Sequence, residues 1–149
     1  MTPAESIRCI LQFKGPDVWS LHPDASVYEA IEMMSRKQVG ALLVIRDSQP
    51  VGFVSERDYA RKVILKGKSS RETKVSEIMS SPVITVGPDQ TIDECMRIMT
   101  ASRIRHLPVV ERGQIAGIVS IGDLVRWIIS SQEETINQLH SYIAGAYPG

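Results

Sequence analysis

Two short stretches of this 149-residue chain carry matching side chains at one spacing: GFVSERD at 52–58 and GIVSIGD at 117–123. A serine followed three residues later by a short acid permits two kinds of chemistry. In the first, Ser55 or Ser120 caps a helix start and Asp58 or Asp123 reaches back to the cap, a structural arrangement with no ligand. In the second, the carboxylate accepts two neighbouring hydroxyls, as on a ribose ring, while free N–H groups at the same helix start attract phosphate. The chain uses glutamate in two plain capping patterns, Ser26 with Glu29 and Thr91 with Glu94, but aspartate in both of these stretches. On spacing alone capping is the simpler reading, and the contrast sets a bound diol beside it as the alternative.

The elements that must position these acids are themselves repeated. Shifted by 65 residues, positions 18–64 align with 83–129 without a gap and share 14 identities in 47 pairs. Chance would give roughly three. Each unit reads as strand, helix, strand, strand, helix. Val18–Leu21 and Val83–Val86 are expected as short strands closed by Pro-Asp turns. Helices follow, with Val27, Ala30, Ile31 and Met34 on one apolar face and Ile92, Cys95, Met96 and Met99 on the other's. ALLVI (41–45) and LPVV (107–110) start hairpins returned by VGFV (51–54) and AGIV (116–119). The closing helix begins at Ser55 or Ser120. One such unit is too small to bury an adequate core, so an α/β (α+β) fold of two βαββα repeats packed sheet to sheet is expected. The boundaries read as 10–66, a linker and short helical turn at 67–81, 82–130, and a C-terminal tail at 131–149. In the tail, Ile136, Leu139 and Ile143 fall on one face of an amphipathic helix.

Whole-chain properties remove several function classes. Lys and Arg number 17, as do Asp and Glu, so the formal net charge is zero. No overall field would draw in nucleic acid or an anionic membrane, and neither is expected as a partner. Bound phosphate would need local donors. Cys9 and Cys95 lack CxxC spacing and only three histidines are present, which argues against a zinc site. Two reduced thiols in a cytoplasmic setting are expected, an intermolecular disulfide being the alternative. No apolar run reaches the length of a membrane span, and MTPAESIRCILQFKG lacks the pattern of a signal peptide. No nucleophile and base stand at a recognisable spacing, and GKSS (67–70) lacks the upstream glycine and strand of a P-loop.

The paired βαββα units ending in G-h-V-S-x-x-D resemble cystathionine-β-synthase (CBS) domains, which occur in tandem as a Bateman module. The likeness covers about residues 10–130. Residues 55–80, SERDYARKVILKGKSSRETKVSEIMS, resemble small stand-alone two-repeat proteins. The resemblance implies binding of an adenosine-containing ligand between the repeats, assembly as a homodimer, and no catalysis by the module itself.

It also implies site residues. In the second repeat these are Ser120 and Asp123 at the ribose, Arg105 and His106 at phosphate, Leu107 and Pro108 along the adenine slot, and Thr85 at the base edge. A solvated charge cluster is the alternative for Arg105 and His106, and more so for Arg103. The first repeat departs from the pattern, with Gly40, Ala41 and Leu42 standing where Arg105, His106 and Leu107 stand. Its candidates are Ser20, Gly40, Ala41, Leu42, Ser55, Arg57 and Asp58. Arg61 could add charge or be a plain surface arginine, and Arg105 or His106 could serve the opposite crevice. The two sites should therefore be unequal, with the second the better formed. Trp19 and Trp127 read as packing anchors, and His22 and His140 as surface residues.

The expected function is an adenine-nucleotide sensor that answers to AMP, ADP, ATP or NAD and modulates a separate, unidentified protein. No catalytic cofactor or metal is expected. The alternatives are a scaffold with vestigial crevices and a module that binds S-adenosylmethionine.

Overall fold

The computed structural model describes residues 5–15 and 17–132. Their elements run α1 (Arg8–Lys14), β1 (Ser20–Leu21), α2 (Val27–Lys37), β2 (Ala41–Arg46), β3 (Gln49–Ser55), α3 (Glu56–Tyr59) with a π-helical continuation Ala60–Ile64, α4 (Val75–Ile78), α5 (Ile92–Ser102), β4 (His106–Glu111), β5 (Gln114–Ser120) and α6 (121–132). The architecture is α+β with two small sheets, β1-β2-β3 and β4-β5. The tail residues Ile136, Leu139, His140 and Ile143 lie outside the described residues.

Local chemistry repeats as closely as the sequence does. The Ser26 hydroxyl accepts the Glu29 N–H at 3.1 Å and the Thr91 hydroxyl accepts the Glu94 N–H at 3.0 Å, opening α2 and α5. Both helices close through a left-handed residue, Gln38 (φ 56) and Arg103 (φ 55). The β2–β3 hairpin turns at Asp47 and Ser48, and the β4–β5 hairpin at Arg112 and Gly113, with positive φ at both central residues of each turn. Such turns match the natural twist of paired strands. Register slips at the same place in both ladders, between Val44 and Ile45 and between Val109 and Val110.

The two cores do not follow the order of the chain. Ile7 and Ile10, from the N-terminal segment, are buried with Ile92, Cys95, Leu107 and Val119 of the second repeat. Val75 and Ile78, from the linker, are buried with Val27, Leu42 and Val54 of the first. The backbone confirms the exchange. Ile7 N–H donates to Gln90 O and Arg8 N–H to Pro88 O, while Val75 N–H donates to Ala25 O and Ser76 N–H to Pro23 O. Each repeat is thus completed by the segment that precedes the other, and a division of the chain at residue 66 cuts across both cores.

The repeated glycine of the G-h-V-S-x-x-D stretch makes this crossing possible. A Cβ on Gly52 would stand 2.6 Å from Met79 Sδ, and one on Gly117 2.7 Å from Leu11 Cδ2. Both positions need the bare backbone because the exchanged segment lies against it.

The first strand of each unit is shorter than the sequence suggests. In the first repeat only Ser20 and Leu21 pair with β2, in parallel. In the second, Val83–Val86 shrinks to a single bridge, Val86 with Val109. Pro108 supplies the reason. Its repeat equivalent, Leu43, donates its N–H to Trp19 O at 3.2 Å. Pro108 has no N–H to offer the Ile84 carbonyl, so the ladder stops.

Candidate functional site

A crevice of about 610 Å³ opens between the repeats. The first repeat contributes Gly40, Ala41, Phe53, Ser55, Arg57 and Asp58 to its lining; Ser80, Pro82, Val83, Ile84, Arg103, Arg105 and His106 come from the following half. Asp58 therefore shares one crevice with basic residues of both repeats, Arg57 of its own and Arg103 and Arg105 of the other.

Asp58 is held in place before any ligand arrives. Its Oδ2 accepts the Ser55 N–H and the Ser55 hydroxyl, both at 3.0 Å, and its own N–H donates to Ser55 Oγ at 3.1 Å. Lys62 Nζ lies 3.3 Å from Oδ1. The capping box is real at this site, and it fixes the direction of the carboxylate along the crevice wall. Asp123 has the same box, with Ser120 N–H donating to Oδ2 at 2.8 Å and Asp123 N–H donating to Ser120 Oγ at 3.1 Å. It also holds Lys14 Nζ at 2.7 Å on Oδ2 and Arg126 at 2.9 Å on Oδ1. Burial pushes the Asp123 carboxyl up, but the Lys14 hydrogen bond and the Ser120 N–H outweigh it and leave the group below the usual aspartate range.

His106 stands opposite Ser120 across the β4–β5 ladder and stacks on Phe53 of the other repeat, ring centroids 5.7 Å apart. Burial and the nearby Lys14 push its imidazole down, Asp123 pulls it up, and Arg105 lowers it further; the net shift is downward. His106 is therefore a neutral ring at pH 7, suited to stacking and a single hydrogen bond rather than to a fixed positive charge. The charge on this wall belongs to Arg57, Arg103 and Arg105, all exposed.

Some sequence candidates fall elsewhere. Leu42 is 1% exposed and Leu107 is fully buried, each in its repeat's core. Side chains alternate along a strand, so Ala41 and His106 look into the crevice while the residue after each turns inward. Neither leucine lines this crevice. Pro108 is buried within β4 and does not line this crevice. Thr85 is exposed and Ser20 half-buried, and neither lines this crevice. Ser120 and Asp123 lie beside Lys14, away from this lining. Arg61 is exposed and outside it.

Phe53, Pro82 and Ile84 were missed as wall residues. Phe53 was legible in principle, since it alternates with buried Val54 and shares a face with Ser55. Lys14 carried no local signal, because only the exchange of segments brings it to Asp123. Trp127 packs against the second core and meets Phe13 edge-on at 6.1 Å, whereas Trp19 is partly exposed beneath Lys37. His22 is exposed. Among the described residues no group of His, Cys, Asp and Glu could hold a metal ion, and no helix is long and apolar enough to cross a membrane.

Comparison with known proteins agrees with this geometry. The CBS domain is matched twice, at residues 12–65 and 75–130. A mitochondrial CBS domain-containing protein of Arabidopsis thaliana, CBSX3, is 41% identical over 129 residues, covering 83% of this chain and 63% of that protein. The crystal structure of a protein with CBS domains from Burkholderia ambifaria superimposes with a TM-score of 0.80 at 45% identity, covering 85% of this chain and 96% of that one. The CBS domain pair of protein MJ0100, solved with 5′-methylthioadenosine and S-adenosyl-L-methionine, gives a TM-score of 0.71 at 25% identity, covering 82% and 98% of the two chains. The chain belongs to the CBS-domain family, as a tandem pair of a kind that serves as a regulatory module.

Proposed function

We propose that this CBS pair senses an adenosine-containing ligand, an adenine nucleotide such as AMP, ADP, ATP or NAD, in the crevice that holds Asp58. One observation carries the reading: Asp58 from the first repeat and Arg105 with His106 from the second face one cavity. Asp58 would accept the ribose hydroxyls and Arg57 and Arg105 the phosphates. The base would lie along Val83 and Ile84, where Pro108 leaves the Ile84 carbonyl without the donor that Trp19 enjoys. A ligand gripped by both repeats favours one relation between them, and this is how binding becomes a signal. The signal would pass to a separate protein, and the chain itself would perform no catalysis.

S-adenosylmethionine is the second reading, supported by the ligands of the MJ0100 pair. Its sulfonium is cationic, and the arginines of this crevice favour the anionic nucleotides. Self-association as a homodimer is supported by Ile64 and Ile129, equivalent residues 56% and 47% exposed. Calorimetry with AMP, ATP, NAD and S-adenosylmethionine tests the reading. Saturable heat with a nucleotide, lost in Asp58→Ala, supports it; no heat with any of the four overturns it.

A further inference from the structure

The two exchanged segments occupy equivalent places, and comparing them residue by residue exposes one difference. Ile7 matches Val75, Ile10 matches Ile78, and Leu11 against Gly117 matches Met79 against Gly52. Continued at the same offset, Lys14 matches Pro82. Pro82 is an uncharged wall of the Asp58 crevice. Lys14 instead places its ammonium 2.7 Å from Asp123 Oδ2 and donates to Ile118 O at 2.9 Å. With Arg126 on Oδ1 and the Ser120 N–H also on Oδ2, both oxygens of Asp123 are engaged, and the side chain is 12% exposed.

We propose that Lys14 is a specificity-determining residue of a ligand site at Asp123, keeping the carboxylate from an uncharged nucleoside and admitting a ligand only when its phosphate can take the ammonium from it. The proposal rests on the adenosine reading above and extends it to the second site. A neutral diol that displaces Lys14 takes a charge-assisted hydrogen bond from a largely enclosed carboxylate and supplies no charge in return, whereas a phosphate gives the ammonium another such bond. At Asp58 Pro82 stands in that place and the cation comes from the repeat's own helix instead: Lys62 lies farther off, 3.3 Å from Oδ1, and leaves Oδ2 to Ser55.

The test is a site-resolved NMR titration of wild type and Lys14→Met with adenosine and with AMP. Amide signals of Ser120 and Gly122 report the Asp123 site, and those of Ser55 and Arg57 the Asp58 crevice, called the first. Wild type should bind AMP about tenfold or more tightly than adenosine at Asp123. Lys14→Met should narrow that ratio by strengthening adenosine, leave the first crevice's ratio alone, and raise the midpoint of Asp123 carboxyl titration without ligand. Lys14→Arg should keep the discrimination. If both ligands bind and the ratio at Ser120 persists in Lys14→Met, the assignment of Lys14 is overturned and the adenosine reading stands. If neither ligand moves either set of signals, the adenosine reading falls and the specificity role with it. The Asp123 midpoint would then separately record the ion pair.

Discussion

Phe53 and His106 belong to different repeats, yet their rings lie 5.7 Å apart with their planes tilted by 36°. Both rings line the Asp58 crevice, and burial, with Lys14 and Arg105 nearby, lowers the affinity of the imidazole for a proton. Because the folded state lowers the affinity of His106 for a proton, the unfolded chain binds that proton better below its ordinary value of 6.5. This contribution to stability is complete above about pH 6.5 and is lost as the pH falls through the depressed folded value. Denaturant melts from pH 7.5 to 5 should lose stability more steeply in wild type than in His106→Phe. Parallel slopes would show that His106 titrates normally.

Removing the Asp58 carboxylate should have two separable effects. Asp58→Ala keeps the Ser55 cap but loses the return half of the capping box, the bonds from Ser55 N–H and hydroxyl to the carboxylate, which costs about 1 kcal/mol of stability. It should also weaken nucleotide binding at the first crevice about tenfold or more, because a charge-assisted hydrogen bond contributes roughly 1.5–3 kcal/mol. Ser26→Ala, which removes a cap remote from the crevice, should lose similar stability with no loss of affinity. Melts and calorimetry on the two variants distinguish the roles.

The equivalent glycines should respond unequally to alanine. At Gly52 the new methyl would meet Met79 Sδ and, at 3.0 Å, the Ser80 carbonyl, which is backbone. At Gly117 it would meet only the flexible end of Leu11 within 3 Å. Gly52→Ala should cost about 1–3 kcal/mol, as overpacking does, and Gly117→Ala less. Urea midpoints measure the order.

The thiols should also differ. Burial, and secondarily Glu94, pushes Cys95 up to about 11, and its side chain is fully enclosed; Cys9 is also raised but half-buried. Only the thiolate reacts. Iodoacetamide at pH 8 should label Cys9 slowly and Cys95 only on unfolding, as peptide mass spectrometry would show.

The duplication, the caps and the hairpins were readable because each depends on residues near one another in sequence. Ser26 with Glu29 and Ser55 with Asp58 declare themselves within three residues. The pairing of Asp58 with Arg105 was visible only as one option, since nothing in either stretch says which repeat it faces. Leu42 and Leu107 stand in the cores because a strand turns alternate side chains inward, which a motif taken as a block does not show. The missing N–H of Pro108 is legible from the residue itself, but the strand that suffers, Val83–Val86, lies more than twenty residues earlier. The reach of Lys14 to Asp123 spans most of the chain and depends on α1 lying against the far repeat.

The crossed flanks make the loop at 67–70 a hinge pin that can be pulled without the clasp opening. A nick there leaves two pieces, each carrying a wedge that the other's interior requires. They should elute together, and each alone should be unable to close. The same arrangement lets two molecules trade wedges when both are loosened, giving a swapped pair with every original contact restored.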